Sequence, residues 1–360
     1  MRIAFLDLPF HARTGSSQFF REFLSTMGTV DTHYIHFNEK HILRELVEAD
    51  YDLYILWQLE PLAPFFIYHQ CRVAVVPMYD GCHGLGKGYW RTMRGARSVN
   101  FSRAVTDEQV NSGLQALTLH YFPNPAHYSV QSDFSDGRAL FWQRRPEHGL
   151  TARFADMMLG EQVKTLHVHN APDSGEPEKW PVTSRQSESR WNADPQFFNR
   201  LMDSHNIFLA PRIAEGIGMA VLEGMARGML VIAADAPTAN EYIKHNQNGY
   251  LFPREMINSP APLQLPIAEA KRMGENARKS IEIGYRTLRS RDDEVRDFLS
   301  SIPRPKRPYI INRREERLYL DAAVQFYART RYFKRNIRMT LNYRLQKLGL
   351  VQFAASFLSH

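Results

Sequence analysis

Short apolar runs alternate with polar stretches along the chain, and the clearest example lies in its second half. Ile207 to Ala210 is apolar and is closed by Pro211, which lacks a backbone N–H and favours the end of a strand. Met219 to Arg227 has the spacing of a helix, and Gly228 suits its left-handed C-terminal cap. Met229 to Ala234 is again apolar. The order strand, glycine loop, helix, strand predicts a parallel crossover.

The same pattern predicts further elements on both sides of this unit. A helix is expected over 16–24, and apolar runs bounded by turn residues predict buried strands at Ile3–Phe5, Tyr34–Phe37, Leu53–Trp57, Val73–Met78 and Thr165–Val168. A chain of 360 residues is long enough for two domains with full cores. Its hydrophobic content of 44% and charged content of 23% are typical of a globular protein. We therefore expect an α/β protein with two domains.

Two carboxylates flank the glycine loop of the crossover. Glu215 lies in the loop, and Glu223 follows eight positions later inside the predicted helix. Gly216 and Gly218 let the backbone approach a ligand closely. A helix that starts at Gly218 offers free N–H groups and a positive dipole end, which favour phosphate. Because carboxylates accept hydrogen bonds from hydroxyls, we predict a ligand with a sugar, a diphosphate and a ribose across the helix start.

The segment EGIGMAVLE resembles the E-x7-E signature of retaining nucleotide-sugar glycosyltransferases of family four. Members of that family have the GT-B fold, in which two Rossmann-like domains face a cleft. The first Glu of the signature contacts the donor sugar and the second contacts the ribose, which implies these roles for Glu215 and Glu223. The backbone amides implied to bind the sugar and the phosphate belong to Gly216, Ile217, Gly218 and Met219.

A second resemblance concerns the stretch ALFWQRRPEHG, which is similar to the family's L-F-V-G-R-L-x-x-x-K-G. In the family, the Arg and the Lys of this motif neutralise the donor diphosphate. Arg144 matches the Arg, and His148 precedes the glycine where the family has its Lys. The resemblance implies that Arg144 stabilises the leaving diphosphate, with Arg145 or Arg153 as the second charge. Further along, Trp191 to Asp194 matches a loop that cups the nucleobase.

The N-terminal part of the chain resembles the family only in scattered pieces. Gly15 lies in the loop after the first predicted strand, which faces the diphosphate in the GT-B fold. After the strand at Val73–Met78, the family often has His-Asp, and that His reaches the donor sugar. Here the position holds Tyr79-Asp80, with His83 three residues later. We therefore expect Asp80 or His83 to make this contact.

Two other motifs in this half point to different chemistry. Asp50-Tyr51-Asp52 is a D-x-D, the metal signature of other glycosyltransferases, but it precedes the strand at Leu53–Trp57. Since ligands of open α/β sheets lie beyond the carboxyl ends of strands, we predict a turn here, with no metal and no cofactor. The segment from Gly81 to Lys87 approaches the phosphate-binding loop of kinases and ATPases. Gly88 replaces its Ser or Thr, and no clear helix is expected to begin there.

Three domains are predicted from these patterns. HYFPNPAHY resembles the end of the family's N-terminal domain, and the polar run 129–137 follows it as a linker. From 139 to 285 the resemblance is nearly continuous. We predict an N-terminal acceptor domain at 1–128, a nucleotide-sugar donor domain at 129–305 and a basic amphipathic helical extension at 306–360.

The net charge of +7 is concentrated in that extension, because residues 313–347 hold ten Lys or Arg and three Asp or Glu. Aromatic residues recur there at helical spacings, which predicts contact with an anionic membrane surface. Packing of these residues on the N-terminal domain is the alternative, and no nucleic acid is expected because no recognition motif is present. With no signal peptide, no bilayer-spanning run and two cysteines in no metal pattern, we expect a cytoplasmic protein, peripheral at the inner membrane face.

Together these features predict a retaining, metal-independent glycosyltransferase that moves a sugar from a nucleotide-diphosphate sugar to an acceptor hydroxyl. The expected acceptor is a saccharide or a lipid-linked sugar in the synthesis of bacterial surface polysaccharide, lipopolysaccharide or glycolipid. The predicted catalytic residues are Glu215, Arg144, His83 and Asp80. The alternative is a non-catalytic sensor or scaffold that binds a sugar nucleotide, and it is favoured by departures from the family pattern at Tyr79, Pro125, His148 and Asn240.

Overall fold

The computed structural model describes residues 1–305 apart from 37, 38, 132, 174–183, 195 and 266. The described part forms two compact units, the first made of 1–120 and 288–305 and the second of 121–287. The predicted extension at 306–360, with the basic stretch at 313–347, lies outside the described residues.

The first unit contains a six-stranded sheet in which every neighbouring pair is parallel. Its strands are β1 (Arg2–Asp7), β2 (Thr29–Tyr34), β3 (Leu53–Trp57), β4 (Val73–Val76), β5 (Arg97–Asn100) and β6 (Gln115–Thr118). Their order in the sheet is β2-β1-β3-β4-β5-β6. All residues of β3 and β4 are buried, as expected for central strands of a parallel sheet with continuous apolar runs.

The helices of the first unit before residue 120 are α1 (His11–Thr14), α2 (Gln18–Ser25), α3 (Lys40–Glu48), α4 (Ala63–Tyr68), α5 (Tyr79–Cys82), α6 (Gly86–Arg91) and α7 (Arg103–Val110). The predicted strands at Ile3–Phe5, Leu53–Trp57 and Val73–Met78 are confirmed as β1, β3 and β4. The strand predicted at Tyr34–Phe37 is wrong, because the observed strand ends at Tyr34. This edge strand is polar and only half-buried, so its apolar pattern is weak.

The first unit also contains the D-x-D motif and the segment that resembles a phosphate-binding loop. Asp50 and Asp52 lie in a turn before β3, at the end opposite to its carboxyl end, as predicted. The carboxylate of Asp52 accepts a hydrogen bond from the Arg2 N–H at 2.7 Å. The expectation that no helix begins in the segment resembling a phosphate-binding loop is wrong, because α6 starts at Gly86.

The second unit also contains six parallel strands. They are β7 (Arg138–Trp142), β8 (Thr165–His169), β9 (Gln186–Ser189), β10 (Ile207–Leu209), β11 (Leu230–Ala234) and β12 (Tyr250–Phe252), in the order β12-β11-β10-β7-β8-β9. Its helices are α8 (Ala152–Leu159), α9 (Phe197–Ser204), α10 (Met219–Ala226), α11 (Ala239–Tyr242) and α12 (Ala270–Ser290). The predicted crossover is confirmed as β10, α10 and β11, and Gly228 is left-handed with φ 71°.

A last helix, α13 (Asp292–Ser300), belongs to the first unit. Residues 288–305, which the sequence placed with the second domain, group with the first unit because they bond to its sheet. Arg97 donates to the Ser301 hydroxyl at 2.6 Å, and Arg291 donates to the Thr118 carbonyl at 2.8 Å.

Each sheet has one point where the chain reverses its direction of travel across the sheet. In the first unit the chain passes from β1 to β2 on one side and returns to β3 on the other. In the second unit it passes from β7 through β8 to β9 and returns to β10 on the opposite side of β7. Ligands of open α/β sheets bind at the carboxyl ends of the strands that flank such a switch point. The β1/β3 and β7/β10 edges are therefore the candidate ligand sites.

Candidate functional site

Two loops leave the sheet of the second unit side by side at its switch point. Phe141 of β7 pairs with Leu209 of β10, so the loops 143–149 and 210–218 start at the same edge. The first loop carries the predicted residues Arg144, Arg145 and His148, and the second carries Glu215, Gly216, Ile217 and Gly218. The structure thus brings these residues to one edge of one sheet.

The loop after β10 ends in a backbone conformation that favours glycine. Gly218 has φ 79° and ψ 39°, in the left-handed region, and α10 begins at the next residue. The Thr238 hydroxyl, which is buried, donates to the Gly216 carbonyl at 3.2 Å and holds the loop from behind. The first intrahelical bond comes from the Leu222 N–H to the Gly218 carbonyl. The amides of Met219 and its two successors therefore have no partner within the helix.

Glu215 is buried in this loop beside an arginine that the sequence analysis missed. The two side chains expose only 9% and 8% of their surface, and Arg212 Nη1 lies 3.5 Å from Glu215 Oε2. A buried charge pair of this kind holds the carboxylate in place, because an unpaired charge would be costly there. The spacing of three residues is the signal that would have revealed the pair in the sequence.

Glu223 lies on α10, and its carboxyl is half-buried. Desolvation raises the pKa of Glu223 to about 7, against the opposing effect of the Arg227 charge. Arg227 is engaged elsewhere, since its guanidinium donates to Asp203 at 2.7 Å and to Asn199 at 3.0 Å. Over the described ranges, no hydrogen bond reaches the Glu223 carboxylate. The protein thus keeps an enclosed acid without a partner at this position.

The Tyr128 hydroxyl lies close enough to Glu223 to be affected by its charge. Burial, and after it the charge of Glu223, raises the pKa of Tyr128 to about 12. The Arg227 guanidinium lies 4.8 Å from the centre of the Tyr128 ring. Glu223 therefore lies near an aromatic ring and near a cation whose charge is already paired with Asp203.

The predicted diphosphate arginines share one carboxylate that the sequence did not reveal. Arg144 Nε lies 2.7 Å from Asp173 Oδ1, and Arg145 Nε lies 2.6 Å from Asp173 Oδ2. Burial would raise the pKa of Asp173, but the two guanidiniums outweigh it and hold that pKa below its usual value. Glu147 approaches Arg145 Nη1 at 3.6 Å. Both guanidiniums stay partly exposed, with 31% and 24% of the Arg144 and Arg145 side chains accessible, while their Nε atoms are occupied.

An aromatic group adjoins these arginines at the carboxyl ends of β7 and β8. The Arg144 guanidinium lies 4.8 Å from the Trp142 ring, and Trp191 meets Trp142 edge to face at 5.9 Å. Trp191 is 64% exposed, so its ring offers a free face. Burial lowers the pKa of His169 to about 4, so this histidine is neutral at pH 7. The predicted nucleobase loop therefore begins with an exposed indole.

The remaining predicted residues belong to the first unit. Gly15 is left-handed with φ 63° and caps α1, and its N–H donates to the His11 carbonyl. Asp80 lies in α5. His83 follows that helix, is exposed, stacks on Tyr79 with ring centroids 4.8 Å apart, and has Nδ1 2.9 Å from the Tyr79 carbonyl. Asp80 and His83 thus lie after β4, whereas Gly15 lies after β1.

In the part of the chain that the structure covers, no group of three or more His, Cys, Asp or Glu side chains is arranged to hold a metal ion. Among the helices of that same part, none has both the length and the hydropathy needed to cross a bilayer.

One segment of the second unit matches a known protein family. Residues 193–285, which contain β10, the glycine loop and α10, match the model of Glycosyl transferases group 1. The GtfA subunit of UDP-N-acetylglucosamine--peptide N-acetylglucosaminyltransferase from Streptococcus agalactiae is 32% identical over 66 residues, or 18% of this chain. That match spans 13% of the relative's own length. This segment is therefore similar to the group 1 glycosyltransferases, whereas the narrower assignment to family four stays a prediction.

Solved structures share the fold at low sequence identity. HepE from Anabaena, in complex with UDP, aligns with a TM-score of 0.56 and 14% identity over 84% of this chain and 100% of its own. Sucrose-phosphate synthase from Thermosynechococcus elongatus aligns with a TM-score of 0.62 and 14% identity over 83% and 99%. The predicted fold class, with two Rossmann-like domains as in GT-B glycosyltransferases, is confirmed.

Proposed function

We propose that the protein is a retaining glycosyltransferase that binds a nucleotide-diphosphate sugar at the β7/β10 edge of its second unit. The observation that carries this proposal is the unpartnered Glu223 carboxyl, with its pKa near 7, on the helix that starts at Gly218. A half-buried, desolvated acid without a hydrogen-bond partner costs stability, so its retention is explained best by a ligand that supplies hydrogen-bond donors. Vicinal hydroxyls of a ribose are such donors.

The nucleotide occupies this edge in the following way. The ribose hydroxyls donate to Glu223. The diphosphate accepts hydrogen bonds from the free amides at the start of α10 and from the partly exposed guanidiniums of Arg144 and Arg145. The base stacks on the exposed face of Trp191. Because HepE is described in complex with UDP, we propose UDP as the nucleotide.

The donor sugar is held by Glu215, whose position is set by Arg212. The bond from the anomeric carbon to the diphosphate oxygen breaks, and its electron pair goes to the leaving phosphate. The acceptor oxygen bonds to the anomeric carbon on the same face, and its proton passes to the leaving phosphate oxygen. Positioning and stabilisation of the anion then supply the catalysis. The acceptor is a saccharide or a lipid-linked sugar of bacterial surface polysaccharide synthesis, used at the inner membrane face.

The contact between Asp173 and the two arginines gives a first prediction. In this proposal, its carboxylate competes with the diphosphate for Arg144 and Arg145. Asp173→Asn is therefore expected to tighten UDP binding by about threefold to tenfold, because one repulsive charge is removed. Calorimetric titration of the full chain with UDP measures this. Glu161→Gln is the matched control, since Glu161 is exposed and precedes β8 at the opposite edge. Weaker binding by Asp173→Asn contradicts the prediction.

A second prediction concerns metals. We expect sugar transfer to continue at its full rate in excess EDTA, because arginines and helix amides take the place of a cation at the diphosphate. Transfer is measured with and without chelator and after added Mn²⁺. A strict dependence of transfer on Mn²⁺ contradicts this expectation and favours a metal site at the D-x-D of Asp50 and Asp52.

A further inference from the structure

The loop after β8, residues 170–173, lies between the two loops that carry the proposed contacts to base and diphosphate. It is called the bridging loop below. The loop after β7 carries Arg144 and Arg145, and the loop after β9 carries Trp191. Because β8 pairs with β7 on one side and with β9 on the other, the three loops leave the sheet side by side. The proposed chemistry gives the bridging loop no role beyond the carboxylate of Asp173.

The bridging loop is hydrogen bonded to the loop after β7 through its backbone. The Trp142 indole N–H donates to the Ala171 carbonyl at 2.9 Å, and the Asp173 N–H donates to the Arg144 carbonyl at 3.0 Å. Trp142 is the last residue of β7, so these bonds hold the chain from the end of the strand to the first arginine. Neither bond uses the Asp173 carboxylate.

The bridging loop is also hydrogen bonded to the loop after β9. The Asn170 N–H donates to the Ser189 carbonyl at 2.8 Å, and the Trp191 indole N–H donates to the Pro172 carbonyl at 3.4 Å. Ser189 is the last residue of β9, and Trp191 is the exposed indole proposed to stack on the base. The orientation of that indole is therefore tied to the bridging loop.

A chain of side-chain amides joins the same three loops. The Gln143 oxygen accepts from the Ala152 N–H at the start of α8, and the Gln143 nitrogen donates to Asn170 Oδ1 at 3.0 Å. Because a backbone N–H can only donate, this arrangement fixes which end of each amide faces which neighbour. Asn170 Nδ2 then donates to the Glu188 carboxylate on β9 at 3.3 Å. Gln143 and Asn170 are fully buried, where a lost hydrogen bond costs more than at the surface.

These contacts connect the three loops mechanically. Gln143 stands at the glycine position of the motif L-F-V-G-R, and glycine has no side chain that could make these bonds. The connection therefore belongs to this chain and not to the motif. A ligand group that orders one outer loop also orders the bridging loop and, through it, the other outer loop. The conformational entropy of ordering is then lost once for two contacts, which produces positive coupling between them.

We propose that the bridging loop couples recognition of the nucleobase at Trp191 to recognition of the diphosphate at Arg144. Gln143 and Asn170 are positioning residues, which act by holding the bridging loop against its two neighbours. This inference rests on the proposed nucleotide site, and it goes beyond that site because it concerns the energetic coupling between two contacts and not the contacts themselves.

A double-mutant cycle on the full chain measures this coupling. UDP affinity is determined by calorimetry for the unsubstituted protein, Trp191→Ala, Arg144→Ala and the double variant. Both side chains are partly exposed, so all of these proteins should fold. We expect the loss of affinity caused by Trp191→Ala to be about fivefold smaller in the Arg144→Ala protein than in the unsubstituted protein. Losses that simply multiply in the double variant overturn the inference.

The same cycle is then repeated with Asn170→Ala present in every protein, which breaks the chain of amides. There we expect the two losses to multiply. Asn248→Ala is the matched control, because Asn248 is a buried asparagine of the same unit that donates to the Tyr242 carbonyl at 3.1 Å. It precedes β12 and so lies at the opposite edge of the sheet. It should lower the melting temperature and leave the coupling unchanged, a difference that a merely structural role of Asn170 would not produce.

The remaining outcomes also decide the matter. Coupling that persists in a folded Asn170→Ala protein overturns the inference and favours a direct route through Trp142, whose ring contacts both Trp191 and Arg144. If Asn170→Ala fails to fold, Gln143→Ala takes its place, and the first cycle needs neither variant. Failure of the unsubstituted protein to bind UDP, or a UDP affinity that neither single substitution changes, would instead overturn the proposed function.

Discussion

Replacing Glu215 with glutamine is expected to slow sugar transfer on the order of 100- to 1,000-fold while leaving UDP affinity unchanged within about twofold. The carboxylate is proposed to accept hydrogen bonds from the donor sugar, and these strengthen as positive charge builds on the ring in the transition state. Glutamine keeps the shape of the side chain and removes its charge. Because the nucleotide contacts other residues, the effect should appear in transfer and not in UDP binding.

The buried Arg212 makes a stability control necessary for this variant. Glutamine still offers an oxygen to Arg212 Nη1, but the arginine loses its counter-charge, so the melting temperature should fall. Glu255→Gln is the matched control, because Glu255 is an exposed glutamate of the same unit. Transfer is measured well below the melting temperature of each variant. Near-normal turnover by a folded Glu215→Gln protein removes Glu215 from the mechanism.

Replacing Glu223 with glutamine is expected to weaken UDP binding at pH 8 by about tenfold to hundredfold. Hydrogen bonds to a charged group contribute about 1.5 to 3 kcal/mol each, and the proposed ribose contact loses that charge. Calorimetric titration with UDP measures the difference. Equal affinities for the two proteins would show that the ribose does not contact Glu223.

The pKa of Glu223 makes this prediction dependent on pH. At pH 6 the carboxyl is mostly protonated in the free protein, since its pKa is about 7, and it must lose a proton to accept bonds from the ribose. UDP should therefore bind the unsubstituted protein about tenfold more weakly at pH 6 than at pH 8 through this group alone. UDP binding by Glu223→Gln should lack this tenfold change with pH, although it still reflects the titration of the UDP phosphate. The difference in the pH dependence of UDP affinity between the two proteins therefore measures the contribution of Glu223.

Stability should change in the opposite direction to binding. A raised carboxyl pKa in the folded state leaves stability intact below the ordinary pKa, and stability is lost as pH rises through about 7. Glu223→Gln should therefore raise the melting temperature of the ligand-free protein at pH 8, by a free energy on the order of 1 to 3 kcal/mol, and have little effect at pH 5. A variant destabilised at both pH values would indicate a structural role.

The sequence predicted much of the second unit because its local patterns agree with its tertiary structure. Pro211 follows the end of β10, Gly218 precedes the start of α10, and Gly228 forms its C-terminal cap, so the local sequence is sufficient to predict the crossover. The edge strand β2 was misplaced, because an edge strand with one partner tolerates polar residues and leaves a weak apolar signal.

The side-chain partners at the sites were less predictable. Asp173 meets Arg144 and Arg145 only because β7 and β8 pair in a particular register, with Trp142 opposite His169. The bond between Gln143 and Asn170 depends on the same register, because each of these residues directly follows its strand. Long-range register of this kind is set by packing and leaves no local pattern in the chain.

The measurement that tests the central proposal most directly is a crystal structure of the full chain with UDP. We predict the ribose hydroxyls within about 3 Å of the Glu223 carboxylate and the diphosphate at the amides that follow Gly218, beside Arg144. UDP bound at another edge, with the Glu223 carboxylate still without a partner, would contradict the proposal.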